Sequence, residues 1–232
     1  MALVFALWAG LVRVGWALPS MPNLVIAHGP VMVNGFLGTL IPLERAVAIR
    51  KKWMFSAPLF SGLGWVVLLV SPGMIGAAFL TLGSLATAGI LAYMYKQEPR
   101  KHIAVMTIGG ISWLVGNVLW ITGAPIFQVV FWWMGFLVLT IAGERLELSR
   151  VVRLSVKDEL LFGLFSALIV IGAGLTAINL NAGTRVSGAG FLLLGFWFLR
   201  KDIALRNLRH PRPLTRYIAF CLFTGFIWLV IG

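Results

Sequence analysis

The chain has 232 residues, of which 60% are hydrophobic and 11% charged, with a formal net charge of +12 from 19 basic and 7 acidic residues. A soluble domain carries about 25% charged residues, so the composition excludes a water-soluble fold. The positive charge sits in short stretches between apolar runs and the aromatic residues sit within the runs, which argues for membrane topology and anionic lipid and against a nucleic-acid surface.

The runs have membrane-spanning length. From Trp53 to Tyr95 there is no charged residue, and none from Ile103 to Gly143. Each of these runs is long enough for two spans. In chain order, the first predicted span covers Ala2 to Leu18, with a turn marked by Pro19, Pro22 and Asn23. The second starts at Leu24 or Gly29 and ends at Leu43. The third covers Met54 to Val70, stopped by Ser71-Pro72-Gly73, and the fourth ends near Tyr95. The fifth covers Ile103 to Ile121, stopped by Gly123-Ala124-Pro125, and the sixth runs to Gly143. The seventh covers Leu160 to Ile178, a short eighth Val186 to Leu199, and the ninth Tyr217 to Ile231. The N-terminus is apolar from Met1 with no basic region ahead of it, so the first run is expected to be a retained span and not a cleaved signal. The single cysteine, Cys221, lies in an apolar run and reads as a packing residue.

The inter-span stretches divide by charge. Arg45, Arg50, Lys51 and Lys52 follow span two, and Lys96, Arg100 and Lys101 follow span four. Arg145, Arg150, Arg153 and Lys157 follow span six. Six more, from Arg200 to Arg216, follow span eight. Only Arg185 lies in the intervening loops. All seven acidic residues share the basic side, which the positive-inside rule makes cytoplasmic. This places the N-terminus inside and the C-terminus outside, in a prokaryotic inner membrane.

An internal repeat organises the chain. Gly35, Phe36, Leu37, Ile41, Glu44, Arg45 and Arg50 return, without a gap, as Gly135, Phe136, Leu137, Ile141, Glu144, Arg145 and Arg150. The offset covers four spans, an even number, so the copies have the same orientation. Trp8 and Trp16 in span one match Trp113 and Trp120 in span five as spaced tryptophans near the outer end. The expected fold is all-α: a polytopic helical membrane protein of about nine transmembrane helices in parallel four-helix repeats. Residues 1–102 form the first repeat, 103–216 the second, and 217–232 the first helix of an incomplete third. The remaining helices would come from a second membrane subunit or be absent.

Few residues could carry chemistry. His28 opens span two near the outer face, and its counterpart is Gln128. Imidazole is a common metal and haem ligand. Met32, four residues on, presents a soft thioether on the same helical face, and Met21 lies just outside. The competing reading is an interfacial histidine at a helix start, with Pro30 at the first helical position. His102 and His210 lie on the cytoplasmic side, so a bis-histidine site within this chain is excluded by counting. Arg13, inside span one about a turn from its outer end, either snorkels to the interface or binds an anion such as a haem propionate. For Glu44-Arg45 and Glu144-Arg145 the sharp reading is a proton-uptake acid and the favoured one a structural role, holding loops through interhelical ion pairs. Asn34 and Asn117 read as interhelical hydrogen-bonding groups, and Gly172-Ala173-Gly174 and Gly188-Ala189-Gly190 as close-packing runs.

The segment His28-Gly29-Pro30-Val31-Met32-Val33-Asn34-Gly35-Phe36 resembles the histidine-rich, Met-Gly-Phe helix of NnrS-type membrane proteins, with His-Gly-Pro-Val-Met where that family has His-x-His-Glu-Met. The four-span repeat is also similar to the pseudo-threefold layout of subunit I of haem–copper oxidases. The resemblance implies haem or copper and a link to nitric oxide or respiratory metabolism. His28 would be the metal ligand, Met32 a second ligand and Arg13 the anion partner. A different expectation is a non-catalytic subunit that packs against a larger membrane complex. A transporter ranks third, because buried acidic coupling residues are lacking.

Overall fold

Apolar runs bounded by glycine, proline and capping residues fold into helices throughout. The structure, a computed structural model, describes residues 1–19, 22–71, 73–149 and 154–232. Met21, Pro72, Arg150 and Arg153 therefore lie outside the described residues. The helices are α1 (Ala2–Arg13), α2 (Pro22–Ile26), α3 (His28–Ile49), α4 (Ser56–Val70, led by a 3-10 turn Lys52–Phe55) and α5 (Met74–Gln97). They continue with α6 (Lys101–Ile121), α7 (Ile126–Leu148), α8 (Val156–Leu175), α9 (Leu180–Lys201), α10 (Ala204–Asn207) and α11 (Pro213–Ile231). No strand occurs among the described residues. Among the described residues, eight helices are long and apolar enough to cross a membrane.

The first expected span is the exception. α1 ends at Arg13, where Val14 and Gly15 (φ 94°) leave the helical path. Its 12 residues span about 18 Å against a hydrocarbon layer of about 30 Å. Trp8 donates its indole N–H to the Pro19 carbonyl at 2.8 Å, which ties the following segment back to α1. The eighth expected span is longer than the hydropathy of residues 186–199 indicates. Asn179 caps it by accepting from the Ala182 N–H at 3.0 Å, so α9 already includes the polar turn that holds Arg185, placed in a loop above. Gly123 (φ 99°) closes α6 at the expected stop.

Two compact units divide the chain, Met1–Pro99 with Gly110–Val129, and Arg100–Gly109 with Val130–Gly232; the division runs through α6 and α7. In the first unit, Ala2 and Ala6 of α1 pack with Ala27, Val31, Leu68 and Leu80. α4 and α5 meet through small residues: a Cβ on Gly64 would lie 2.8 Å from Leu80, and one on Gly83 2.2 Å from Ser61 Oγ. In the second unit, α8 and α9 pair in the same way. A Cβ on Gly172 would lie 2.3 Å from the Ser187 nitrogen, and one on Gly190 2.8 Å from Ile169. Gly188, in the second small-residue run, meets nothing within 4 Å, whereas Gly183, outside both runs, abuts Thr176 at 2.4 Å.

The core of the second unit is aromatic. Phe162 and Trp197 meet edge-on with centroids 5.0 Å apart, and Phe198 stacks on Phe226 at 4.8 Å. α8 starts with a Ser155–Asp158 capping box, in which the Asp158 N–H donates to Ser155 Oγ at 3.2 Å. Arg145, at the end of α7, donates through Nε (2.7 Å) and a terminal nitrogen (2.5 Å) to the two oxygens of the fully buried Asp202. An interhelical ion pair of the kind expected for this arginine is thus present, with Asp202 as its partner.

Candidate functional site

The segment around His28 is the least regular long helix among the described residues. Within α3, Val31–Leu37 is π-helical, and the Gly38 N–H donates to the Val33 carbonyl, five residues back. Such turns are rare and concentrate at functional sites. Pro42 lies inside the same helix and has no N–H to return to the Gly38 carbonyl. The widened turn is accommodated by two glycines. A Cβ on Gly35 would lie 2.7 Å from Trp65, and one on Gly38 2.4 Å from the ring of Trp113.

His28 is half-buried at the first residue of α3. Its Nδ1 lies 2.8 Å from the Ala6 carbonyl of α1. A carbonyl only accepts, so Nδ1 carries the hydrogen, and in the neutral ring Nε2 carries the lone pair. Nε2 has no hydrogen-bond partner among the described residues. The ring lies against Gly10, where a Cβ would come within 3.1 Å of Cε1. Pro30, expected at the first helical position, is the third residue of the helix and is buried within its first turn.

Met32 is partly buried and packs against the cluster of Ala2, Ala6, Ala27 and Val31. Arg13 is the last residue of α1 and is exposed. It makes no hydrogen bond or ion pair with a described residue, and its charge complements the negative end of the α1 dipole. It lies one turn past Gly10, on the same helical stripe as the glycine that carries the His28 ring. The fold thus unites His28 with α1 and brings Met32 into the adjoining cluster, while Arg13 remains exposed at the end of α1.

A second polar feature lies deeper in the same helix. Asn34 is 0% exposed, and the indole N–H of the equally buried Trp113 donates to its Oδ1 at 2.5 Å. Indole only donates, so this bond fixes which end of the Asn34 amide is oxygen. Asn34 Nδ2 has no partner among the described residues. Asn117, one turn along α6 from Trp113, donates to the Leu80 carbonyl at 3.2 Å. Both asparagines therefore bond between helices, as their place in apolar runs implied. Trp113, expected near the outer end of its span, is instead buried in mid-helix as the partner of Asn34. The π-turn and Gly10 were not foreseen; the only signals for them are Gly35, Gly38 and Pro42 in one helix and the small stripe Ala2, Ala6, Gly10 in another.

The other histidines belong to the second unit. His102 is buried with Nε2 3.6 Å from Glu147, and His210 Nδ1 accepts from the Arg212 N–H at 3.2 Å. Among the described residues, no three His, Cys, Asp or Glu side chains converge on a point that could hold a metal ion. Against known proteins, the family model described as "Domain of unknown function (DUF8744)" matches residues 1–232. No curated protein and no solved structure matches the chain.

Proposed function

The chain belongs to the DUF8744 family over residues 1–232, and on that premise we propose that it is a multi-pass membrane protein in which His28 supplies one ligand to a haem or copper centre near the outer face of a prokaryotic plasma membrane. The observation that carries this reading is the hydrogen bond from His28 Nδ1 to the Ala6 carbonyl. A metal-binding histidine characteristically donates its second ring nitrogen to a carbonyl or carboxylate, which fixes the tautomer and aims the other nitrogen at the metal. The residues present fit one ligand of such a group and not a complete set. Met32 would be a second, soft donor and Arg13 a partner for a propionate. The group would supply one-electron or nitric oxide chemistry, while this chain would hold it through the imidazole.

Orientation follows from charge. If the eight long helices cross alternately, the ends of α3, α5, α7 and α9 share one side. They carry Arg45, Lys96, Arg145 and Arg200, so that side is cytoplasmic. The His28 end of α3 is then outside, as is the C-terminus. Insertion of α1 as a further, short crossing puts the N-terminus inside, in the layout of two parallel four-helix repeats plus one helix. Reporter fusions at Arg100 and Gly232 test this, with cytoplasmic and outside signals expected; the reverse pattern would contradict it.

A second reading is favoured by α11. Only 11% of its apolar window is buried, against 28–50% for the other long helices. A helix this exposed suits a subunit whose last helix packs on a larger membrane complex. Copper analysis and an optical spectrum of the purified full chain separate the two readings. Stoichiometric copper or a Soret band supports the first. A colourless, metal-free, folded protein that co-purifies with a second membrane subunit supports the other.

A further inference from the structure

The strongest feature outside the His28 region is a groove of about 330 Å³ between α8 and α9. Its walls are apolar, built from Leu161 and Phe165 on α8 and Leu193 and Phe196 on α9. Its mouth is charged, with Asp158, Arg200 and Lys201. These charges do not simply cancel. Lys201 Nζ lies 3.0 Å from Asp158 Oδ1, and the Ser155 hydroxyl donates to Asp158 Oδ2 at 2.8 Å. The carboxylate is thus neutralised by Lys201 and committed to the start of α8. Trp197 locks the same corner by donating its N–H to the Asp158 carbonyl at 2.9 Å. Arg200 is left over. It is exposed and pairs with no described residue.

One unpaired guanidinium above an apolar slot is complementary to a molecule with an anionic head and a hydrocarbon tail. From Arg200 to Leu193 the groove follows seven residues of helix, about 10 Å. We propose that this groove holds an anionic phospholipid of the cytoplasmic leaflet, with its phosphate on Arg200 and an acyl chain along Phe165, Leu193 and Phe196. The site rests on the membrane reading above, which places this end of α9 at the cytoplasmic interface, where anionic lipid attracts basic residues. Guanidinium matches a phosphate with two parallel N–H donors. A free anion would leave the apolar walls unused.

The test is native mass spectrometry of the full chain in detergent, with dioleoyl phosphatidylglycerol and dioleoyl phosphatidylcholine supplied in equal amounts. The wild type should retain the anionic lipid in preference by about five-fold, the effect of one interfacial cation. Arg200→Gln should bring the two lipids to parity. Arg209→Gln, which removes the same charge from an exposed position outside the groove, should leave the preference intact. Leu193→Trp, which fills the slot, should weaken retention of both lipids. Equal retention by the wild type, an unchanged preference in Arg200→Gln, or a preference lost equally in Arg209→Gln would overturn the proposal. So would displacement of the lipid by excess inorganic phosphate, which would mark a soluble-anion site. Alkaline washing of cell membranes separates this failure from that of the underlying reading. Release of the protein by the wash would sink the membrane assignment itself. Retention in the membrane with no lipid preference would sink only the groove.

Discussion

Two segments a hundred residues apart, in α3 and α7, share Gly-Phe-Leu and Glu-Arg at the same spacing, yet they are built differently. In α3 the shared stretch passes through a π-turn, buries Asn34 against Trp113, and follows a histidine at the N-terminal end of the helix. In α7 the same stretch is regular α-helix, with Met134 in place of Asn34 and Gln128 in place of His28. Position 38 is a glycine pressed on Trp113, whereas position 138 is a valine beside the aromatic core. At the C-terminal end of α7, Arg145 is locked to the buried Asp202. One pattern thus serves two purposes. The α7 segment is anchored at its C-terminal end by Arg145 and Asp202, while the N-terminal half of α3 carries His28, the π-turn and the buried Asn34.

The contrast can be broken by mutation. The largest effect is expected at the α7 anchor. Arg145→Ala leaves Asp202 buried without its partner and should cost about 3–5 kcal/mol in detergent unfolding; a loss under 1 kcal/mol would mean that the pair is solvated. Gly38→Ala should come next. Its Cβ would lie 2.4 Å from the Trp113 ring, so the ring must move, at about 1–3 kcal/mol and with a shift in tryptophan emission. Val138→Ala, at the matching position in α7, should leave the emission unchanged. Asn34→Met makes α3 resemble α7 at this position. It removes an unsatisfied amide but also the oxygen that accepts from the Trp113 N–H, for a net loss of about 1–2 kcal/mol. A stabilised Asn34→Met protein would show that the amide is the greater burden. His28→Ala should cost least, about 1 kcal/mol or below for one partly exposed hydrogen bond, while abolishing bound haem or copper.

Much of the fold was legible in the sequence, because charge-free runs and their Gly/Pro stops dictate where apolar helices begin and end. Gly123 ended α6 where expected, and the interhelical bonds of Asn34 and Asn117 followed from the cost of an unpaired amide in an apolar run. Other features were hidden because they arise only from packing. A π-turn carries the same residues as an α-turn; it becomes visible only when Trp65 and Trp113 press on Gly35 and Gly38. Small-residue runs do not reveal which face they present, so Gly188 was read as a contact and Gly183 was missed. The apolar run continues to Leu18, although α1 stops at Arg13, because the backbone turns at Val14 and Gly15. The lone pair of His28 could not be read at all, since the carbonyl that orients it belongs to Ala6, 22 residues earlier.

The most direct test of the central claim is a paired optical spectrum and copper analysis of the wild-type chain and His28→Ala, both purified from the membrane fraction in folded form. The account predicts a Soret band or stoichiometric copper in the wild type and neither in the variant. Equal cofactor content in the two proteins, or none in either, would contradict it and leave His28 as the residue that fastens α3 to α1.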